Sequence, residues 1–330
     1  MSDRDVFEAT VVYKDPRGTF ILPDGIEPHE RNRVRCVVPG ALKKRLLEDG
    51  RVKVVVGDRV RCERLADGTA RVQELLPRRS VLVRRRARDG NRPQITAANM
   101  DRIACVVAAR DPAWKPGFVD RVMCAAQLSD TEFWLVINKL DLLSDSEREQ
   151  LDAQVAIYEQ LGVAVLRTST ETGEGIEALR ERVRGSVTVV SGPSGVGKSS
   201  LLNRLGILGE PLATSEISRR HRKGRHTTTS AKWLALEGGG AVIDTPGVRA
   251  FGFYDLEPED LDALFPDIRR YAYAEGDLDR PRCRFGDCTH REEPGCAVRE
   301  AVERGEIAEQ RYASYLRIFA SLLEEAGRRR

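Results

Sequence analysis

The sequence predicts a multi-domain chain: a small all-β barrel, a central α/β domain on a doubly wound parallel sheet, and a mostly helical C-terminal domain built around a cysteine cluster. Three observations carry that reading. Residues up to about 85 alternate apolar and polar positions in short runs separated by turn signals. From about Met100, near-continuous apolar runs alternate with stretches of helical spacing. Beyond about Phe265 the sheet pattern stops, and three cysteines and a histidine precede a helical stretch.

In the first part, residues 34–38 end at Pro39-Gly40 and residues 52–56 end at Gly57-Asp58. Residues 59–63 turn at Asp67-Gly68 into residues 70–76. Asp-Gly between alternating runs is a hairpin signal. Short strands with frequent turns in one small domain predict a barrel, with the OB-fold a candidate. Net charge is only +3, yet residues 30–88 hold 18 Lys and Arg against 7 Asp and Glu. So local an excess points either to a polyanionic partner or to a solvated arginine-rich surface. No aromatic residue lies between Val34 and Ala87, so contacts to that partner are expected to be mainly to phosphate. Residues 77–93 are arginine-rich and weakly apolar, and read as part of a basic linker running to about 97.

Residues 103–109 and 133–137 are apolar runs of the kind buried on both faces of a parallel sheet. Residues 146–161 have helical spacing, 163–166 read as a strand and 176–183 as a helix. Residues 187–190 form the strand that feeds Gly192, Pro193, Ser194, Gly195, Val196, Gly197, Lys198, Ser199 and Ser200, and a helix starts at Lys198. Residues 241–244 are the last strand.

The segment from Gly192 is a phosphate-binding P-loop in its required context, after a strand and opening a helix. Its glycines let backbone N–H groups turn toward phosphate oxygens, and the helix N-terminus adds its positive end. Lys198 is expected to reach the β- and γ-phosphates, and Ser199 to hold Mg²⁺.

Asn138, Lys139, Leu140 and Asp141 have the form of a guanine-reading loop. A carboxylate only accepts hydrogen bonds. Guanine offers two adjacent donors and adenine does not, so Asp141 can pair doubly with guanine alone. Asn138 would brace the loop and the Lys139 stem would cover the base. Ser169 and Thr170, ending the next strand, stand where a backbone contact to the guanine oxygen is expected. This loop precedes the P-loop by about fifty residues, whereas in the ordinary G-domain it follows. The motif order is therefore circularly permuted.

Asp244-Thr245-Pro246-Gly247 fits the DxxG element, with Asp244 binding Mg²⁺ through water and the Gly247 N–H sensing the γ-phosphate. Among Thr227, Thr228 and Thr229, Thr229 is expected to complete the Mg²⁺ shell. Val248 stands where many GTPases place a glutamine and cannot orient water. His226 is the candidate for that role, since imidazole acts near neutral pH. With this order the DxxG segment leads directly into the C-terminal domain, so loss of the γ-phosphate is expected to move that domain.

Cys283, Cys288, His290 and Cys296 supply three thiolates and one imidazole within fourteen residues. That set suits one tetrahedral Zn²⁺ with no open position, a structural site. Residues 297–325 read as helical with a break at Gly305. The other four cysteines are scattered, and seven in 330 residues make no disulfide framework. No run of 18 apolar residues exists and the charged N-terminus lacks a signal-peptide stretch, so a cytoplasmic protein with no membrane partner is expected.

Together these residues resemble the RsgA (YjeQ) family of circularly permuted GTPases. The resemblance runs from Gly57-Asp58-Arg59-Val60 and Ala97-Ala98-Asn99-Met100-Asp101, through the guanine loop, P-loop, Gly224-Arg225-His226 with its threonines and DxxG, to the cysteine cluster and Arg311-Tyr312-Ala313-Ser314-Tyr315. The first thirty or so residues take no part. The resemblance implies an OB-fold RNA-binding domain at 1–85, a permuted P-loop GTPase domain at 98–265 and a zinc-binding domain at 266–330. It implies a hydrolase that cleaves GTP to GDP and phosphate, binds the small ribosomal subunit and its 16S rRNA late in maturation, and leaves after hydrolysis. Monomer is the default. The alternatives are a non-enzymatic GTP-gated RNA-binding factor and a large-subunit assembly GTPase.

Overall fold

The structure, a computed structural model, describes residues 5–16, 18–48, 53–85, 93–209, 211–212, 231–245, 253 and 256–327. Five strands form the N-terminal barrel: β1 (Val6–Asp15), β2 (Gly18–Pro23), β3 (Val34–Val37), β4 (Arg59–Arg64) and β5 (Ala70–Leu75), with α1 (Gly40–Glu48) between β3 and β4. The order is β1-β2-β3-β5-β4, and β4 pairs back onto β1 to close it. Alternation sends Ala9, Val11, Ile21, Cys36, Val60, Cys62, Ala70 and Val72 inward, with Leu42 and Leu46 of α1. The Asp67-Gly68 hairpin forms as expected.

Two features differ from the sequence reading. β1 and β2 lie in the first thirty residues, for which the sequence reading places no strand. Conversely, the strand expected at residues 52–56 is not formed among its described residues, which make one isolated bridge from Val56 to Ala97. Its reason is the carboxylate of Asp58, fully buried, which accepts the Val55 N–H at 2.7 Å and pairs with Arg78. A side chain has taken the hydrogen bond a strand neighbour would need. A Cβ on Gly57 would stand 2.0 Å from Ala98 O, and Asn99 Nδ2 donates to Gly57 O at 2.9 Å. Gly57-Asp58 and Ala97-Ala98-Asn99 are thus two halves of one joint. The segment read as a linker carries a hairpin of β6 (Val81–Arg85) and β7 (Pro93–Ala98).

The central region contains β8 (Arg102–Ala108), α2 (Pro116–Leu128), β9 (Glu132–Asn138), α3 (Asp145–Gln160), β10 (Ala164–Arg167), α4 (Ile176–Val183), β11 (Val187–Ser191), α5 (Lys198–Arg204), β12 (Lys232–Ala235) and β13 (Ala241–Asp244). Strands β10-β9-β8-β11-β13 are parallel in that order, and β12 runs antiparallel at the end. Side-chain alternation splits the core into two layers. Ile103, Cys105, Val107, Leu135 and Ile137 face α2 and α3, while Ala104, Val106, Trp134 and Val136 face α4 and α5.

The C-terminal region has α6 (Pro266–Ala272), α7 (Ala297–Glu303) and α8 (Glu309–Gly327). Among the described residues, Phe265, Ile268, Tyr315, Ile318 and Phe319 belong to the same apolar cluster as the α2 and α3 layer. Arg311 of α8 is buried there. Its Nη1 donates to Asp120 Oδ1 of α2 at 2.6 Å, and its Nε and Nη2 fork onto Asp267 of α6 at 2.9 and 2.8 Å. Tyr158 of α3 donates to the same Asp120 oxygen at 2.8 Å. The C-terminal region is therefore welded to α2 as well as tethered at Asp244.

Candidate nucleotide site and metal centre

The guanine loop and the P-loop meet although fifty residues of sequence separate them, because β9 and β11 flank β8 and end on the same side of the sheet. Asn138 is fully buried. Its Nδ2 donates to Val196 O at 3.0 Å, and its Oδ1 accepts from the Thr168 hydroxyl at 3.3 Å. The closeness is enforced by Gly197, whose φ is +91° and where a Cβ would lie 2.4 Å from Asn138 Nδ2. The Ser169 hydroxyl donates to the Asp141 carboxylate and accepts from the N–H groups of Glu171 and Thr172, each at 3.2 Å. Asp141 is thus aimed by its neighbour. The Lys139 ammonium is held by the Asp111 carbonyl, from the loop after β8. Leu140 and Thr170 are buried behind the loop.

On the phosphate side, Lys198 Nζ donates to the carbonyls of Gly192 and Pro193, both at 2.7 Å. Burial pushes the Lys198 pKa down while the Asp244 carboxylate holds it up. Burial pushes Asp244 up, and Lys198 and then Lys232 pull it back. A half-buried carboxylate that interacts with the P-loop lysine, together with the Ser199 hydroxyl at the start of α5, is a donor set suited to a hard divalent cation. Pro193, Ser194 and Gly195 complete the loop, and Ser200 lies in the first turn of α5. His226, Thr229 and Gly247 lie outside the described residues.

Near the C-terminus, the ligand atoms of Cys283, Cys288, His290 and Cys296 all lie within 4.8 Å of one another. His290 Nδ1 is 3.6 Å from Cys283 Sγ and 3.5 Å from Cys296 Sγ. A tetrahedral ion with bonds of about 2.3 Å to sulfur and 2.0 Å to nitrogen needs an S···N edge of roughly 3.5 Å. The cluster therefore fits such an ion. His290 Nε2 lies 3.0 Å from the buried Asp262 carboxylate, which also accepts the Tyr273 hydroxyl at 2.8 Å. A carboxylate behind a ligating imidazole fixes its tautomer.

A family model described as RsgA GTPase matches residues 75–254, more than half of the 330-residue chain. The chain belongs to the RsgA GTPase family. The Small ribosomal subunit biogenesis GTPase RsgA of Bacteroides fragilis is 38% identical over 292 residues, covering 88% of this chain and 90% of that protein. The protein of the same name from Porphyromonas gingivalis is 38% identical over 327 residues, covering 97% and 98%. Among solved structures, YjeQ from Thermotoga maritima superposes with a TM-score of 0.73 at 31% identity, covering 96% of this chain and 99% of that one. YloQ, described as a circularly permuted GTPase, gives 0.69 at 25% identity and 98% coverage of both. As an RsgA-family member the chain is a GTP hydrolase, and its motif order is permuted.

Two residues beside these candidate sites carry no signal in the sequence. Thr168 braces Asn138, but a threonine at a strand end carries no signal by itself. Asp262 lies 28 residues before His290 and joins it only through the fold. In addition, part of the basic excess of the barrel is neutralised by acids outside the counted window. Arg59 pairs with Glu8 and Asp24, Arg61 with Glu8, and Arg64 with Asp5. No described helix is long and apolar enough to cross a membrane.

Proposed function

We propose that this chain is a GTPase of small ribosomal subunit biogenesis that binds the subunit and its 16S rRNA and is stimulated by the subunit to hydrolyse GTP. The observation that carries the reading is the Thr168–Asn138–Val196 chain of hydrogen bonds, which fixes a guanine-type loop against a P-loop. The names of the curated relatives supply the ribosomal context.

In this reading Asp141 reads guanine, with Ser169 aiming it, and the Thr170 segment closes over the base edge. The P-loop amides and Lys198 cradle the phosphates. Ser199 and Asp244, with Thr229, hold Mg²⁺, which neutralises phosphate charge when bound. Gly247 senses the γ-phosphate and His226 positions water. Cys283, Cys288, His290 and Cys296 hold one structural Zn²⁺. The working domains are 1–85, 98–265 and 266–330, acting as a monomer. The test is GTP turnover by the protein alone, with purified small subunits and with large subunits. Stimulation by small subunits only is expected; equal stimulation by both, or none, refutes the proposal.

A further inference from the structure

The barrel and the GTPase sheet meet along one row of side chains. Strand pairing sets Asp244 opposite Lys232, Lys232 opposite Tyr13, Tyr13 opposite Phe20, and Phe20 opposite Arg35, across β13, β12, β1, β2 and β3. Directly opposed residues share a face of a sheet, so five side chains from both regions form one line. At its centre the Tyr13 and Phe20 rings lie 5.9 Å apart between centroids, tilted by 36°. Lys232 Nζ stands 5.9 Å from the Tyr13 ring on one side, and the exposed Arg35 adjoins Phe20 on the other. Two residues along β3 on the same outer face, Val37 is 50% exposed and paired with Arg71.

We propose that Tyr13 and Phe20 form a stacking platform for unpaired bases of the small-subunit rRNA, with Lys232 and Arg35 holding the flanking phosphates. This rests on the reading of the chain as an rRNA-binding GTPase. Half-buried aromatic faces flanked by cations are what single-stranded nucleic acid requires, because every base offers a π-face and the backbone needs positive charge. Strands 2 and 3 of an OB-type barrel are the face used for oligonucleotides. On the neighbouring β4 face, Arg59, Arg61 and Arg64 pair with carboxylates. Duplex RNA is disfavoured, since its bases are stacked on each other. Lys232 stands between the platform and Asp244 in the pairing row.

The test uses the full chain, a short fluorescent single-stranded RNA and a duplex of the same sequence, with binding read by anisotropy. Tyr13→Leu and Phe20→Leu keep apolar volume and remove the ring; each should weaken single-strand binding roughly 5- to 100-fold. Tyr13→Phe should leave it unchanged, and duplex binding should not move in any variant. Unchanged single-strand affinity in the double leucine variant, or equal loss on both RNAs, overturns the platform. Tyr13→Trp supplies a measurement independent of the leucine variants: quenching of the added emission by single-stranded RNA supports stacking, and none refutes it. If the unaltered chain binds small subunits while the leucine variants bind single strands normally, only the platform fails. If the unaltered chain binds neither subunit nor RNA, the parent reading fails as well.

Discussion

Replacing Arg311 by methionine should unfold the joint between the GTPase region and the C-terminal helices well before anything else. Arg311 is 1% exposed and Asp120 fully buried, and their 2.6 Å contact bridges α8 and α2. Burial already raises the Asp120 carboxyl, and Arg311 is the largest influence holding it down. Removing one partner of a buried pair costs about 3–5 kcal/mol, because the other charge is stranded. For a chain of this size that is roughly 4–7 °C in the midpoint of thermal unfolding. The loss should depend on pH with a definite sign. Without the guanidinium, the folded-state pKa of Asp120 rises further above its unfolded value of about 3.9. The folded variant then holds a proton that the unfolded chain releases, so its stability climbs as pH falls through that window. Arg311→Met leaves both Asp120 and Asp267 without their cation; the double variant Asp120→Asn, Arg311→Met neutralises the more deeply buried of the two and should recover part of the loss at neutral pH. Differential scanning calorimetry of the three proteins at neutral and mildly acidic pH decides it. A shift below about 2 °C, or a deficit against the unaltered chain that does not shrink on acidification, would show that the ion pair is not what holds the regions together.

Three further outcomes follow from the sites. Asp141→Asn exchanges an acceptor for a donor facing the guanine donors and should cost about 10²- to 10⁴-fold in GTP affinity; equilibrium binding with GTP and ATP would expose the error if both changed alike. Gly197→Ala places a methyl group against Asn138 at a φ of +91°, so it should lower GTP affinity by calorimetric titration and destabilise the fold by about 1–3 kcal/mol, whereas normal binding would mean the loop is not set by this contact. Asp262→Asn should weaken metal retention against a chelator by about 10- to 100-fold, and unaltered retention would remove Asp262 from the centre.

The fold class was legible because its signals are local. The apolar strand at residues 133–137, the P-loop glycines and the cysteine spacing each announce themselves within a few residues. What escaped depends on partners distant in sequence. Residues 52–56 look like a better strand than most of the barrel, yet the Asp58 carboxylate takes the Val55 amide. Arg59, Arg61 and Arg64 look like a nucleic-acid face until β1 and the segment after β2 bring Asp5, Glu8 and Asp24 beside them. Thr168 and Asp262 become functional only when the fold delivers them to Asn138 and His290. The apolar face of the C-terminal helices is completed by α2 and α3, partners that the spacing within those helices does not name.

The long first strand has a second role, in solubility. β12 ends the parallel sheet, and an uncovered end strand offers its backbone to any passing chain. Here Tyr13 pairs with Lys232 at one end of β12, and the Leu208 amide donates to the Ala235 carbonyl at 2.8 Å at the other. The register shift between Val11 and Tyr13 lets one strand close the barrel with its first half and stopper the neighbouring sheet with its second. Trimming the N-terminal residues would therefore do more than remove a binding module. It would uncork a sheet edge and leave the GTPase region prone to self-association.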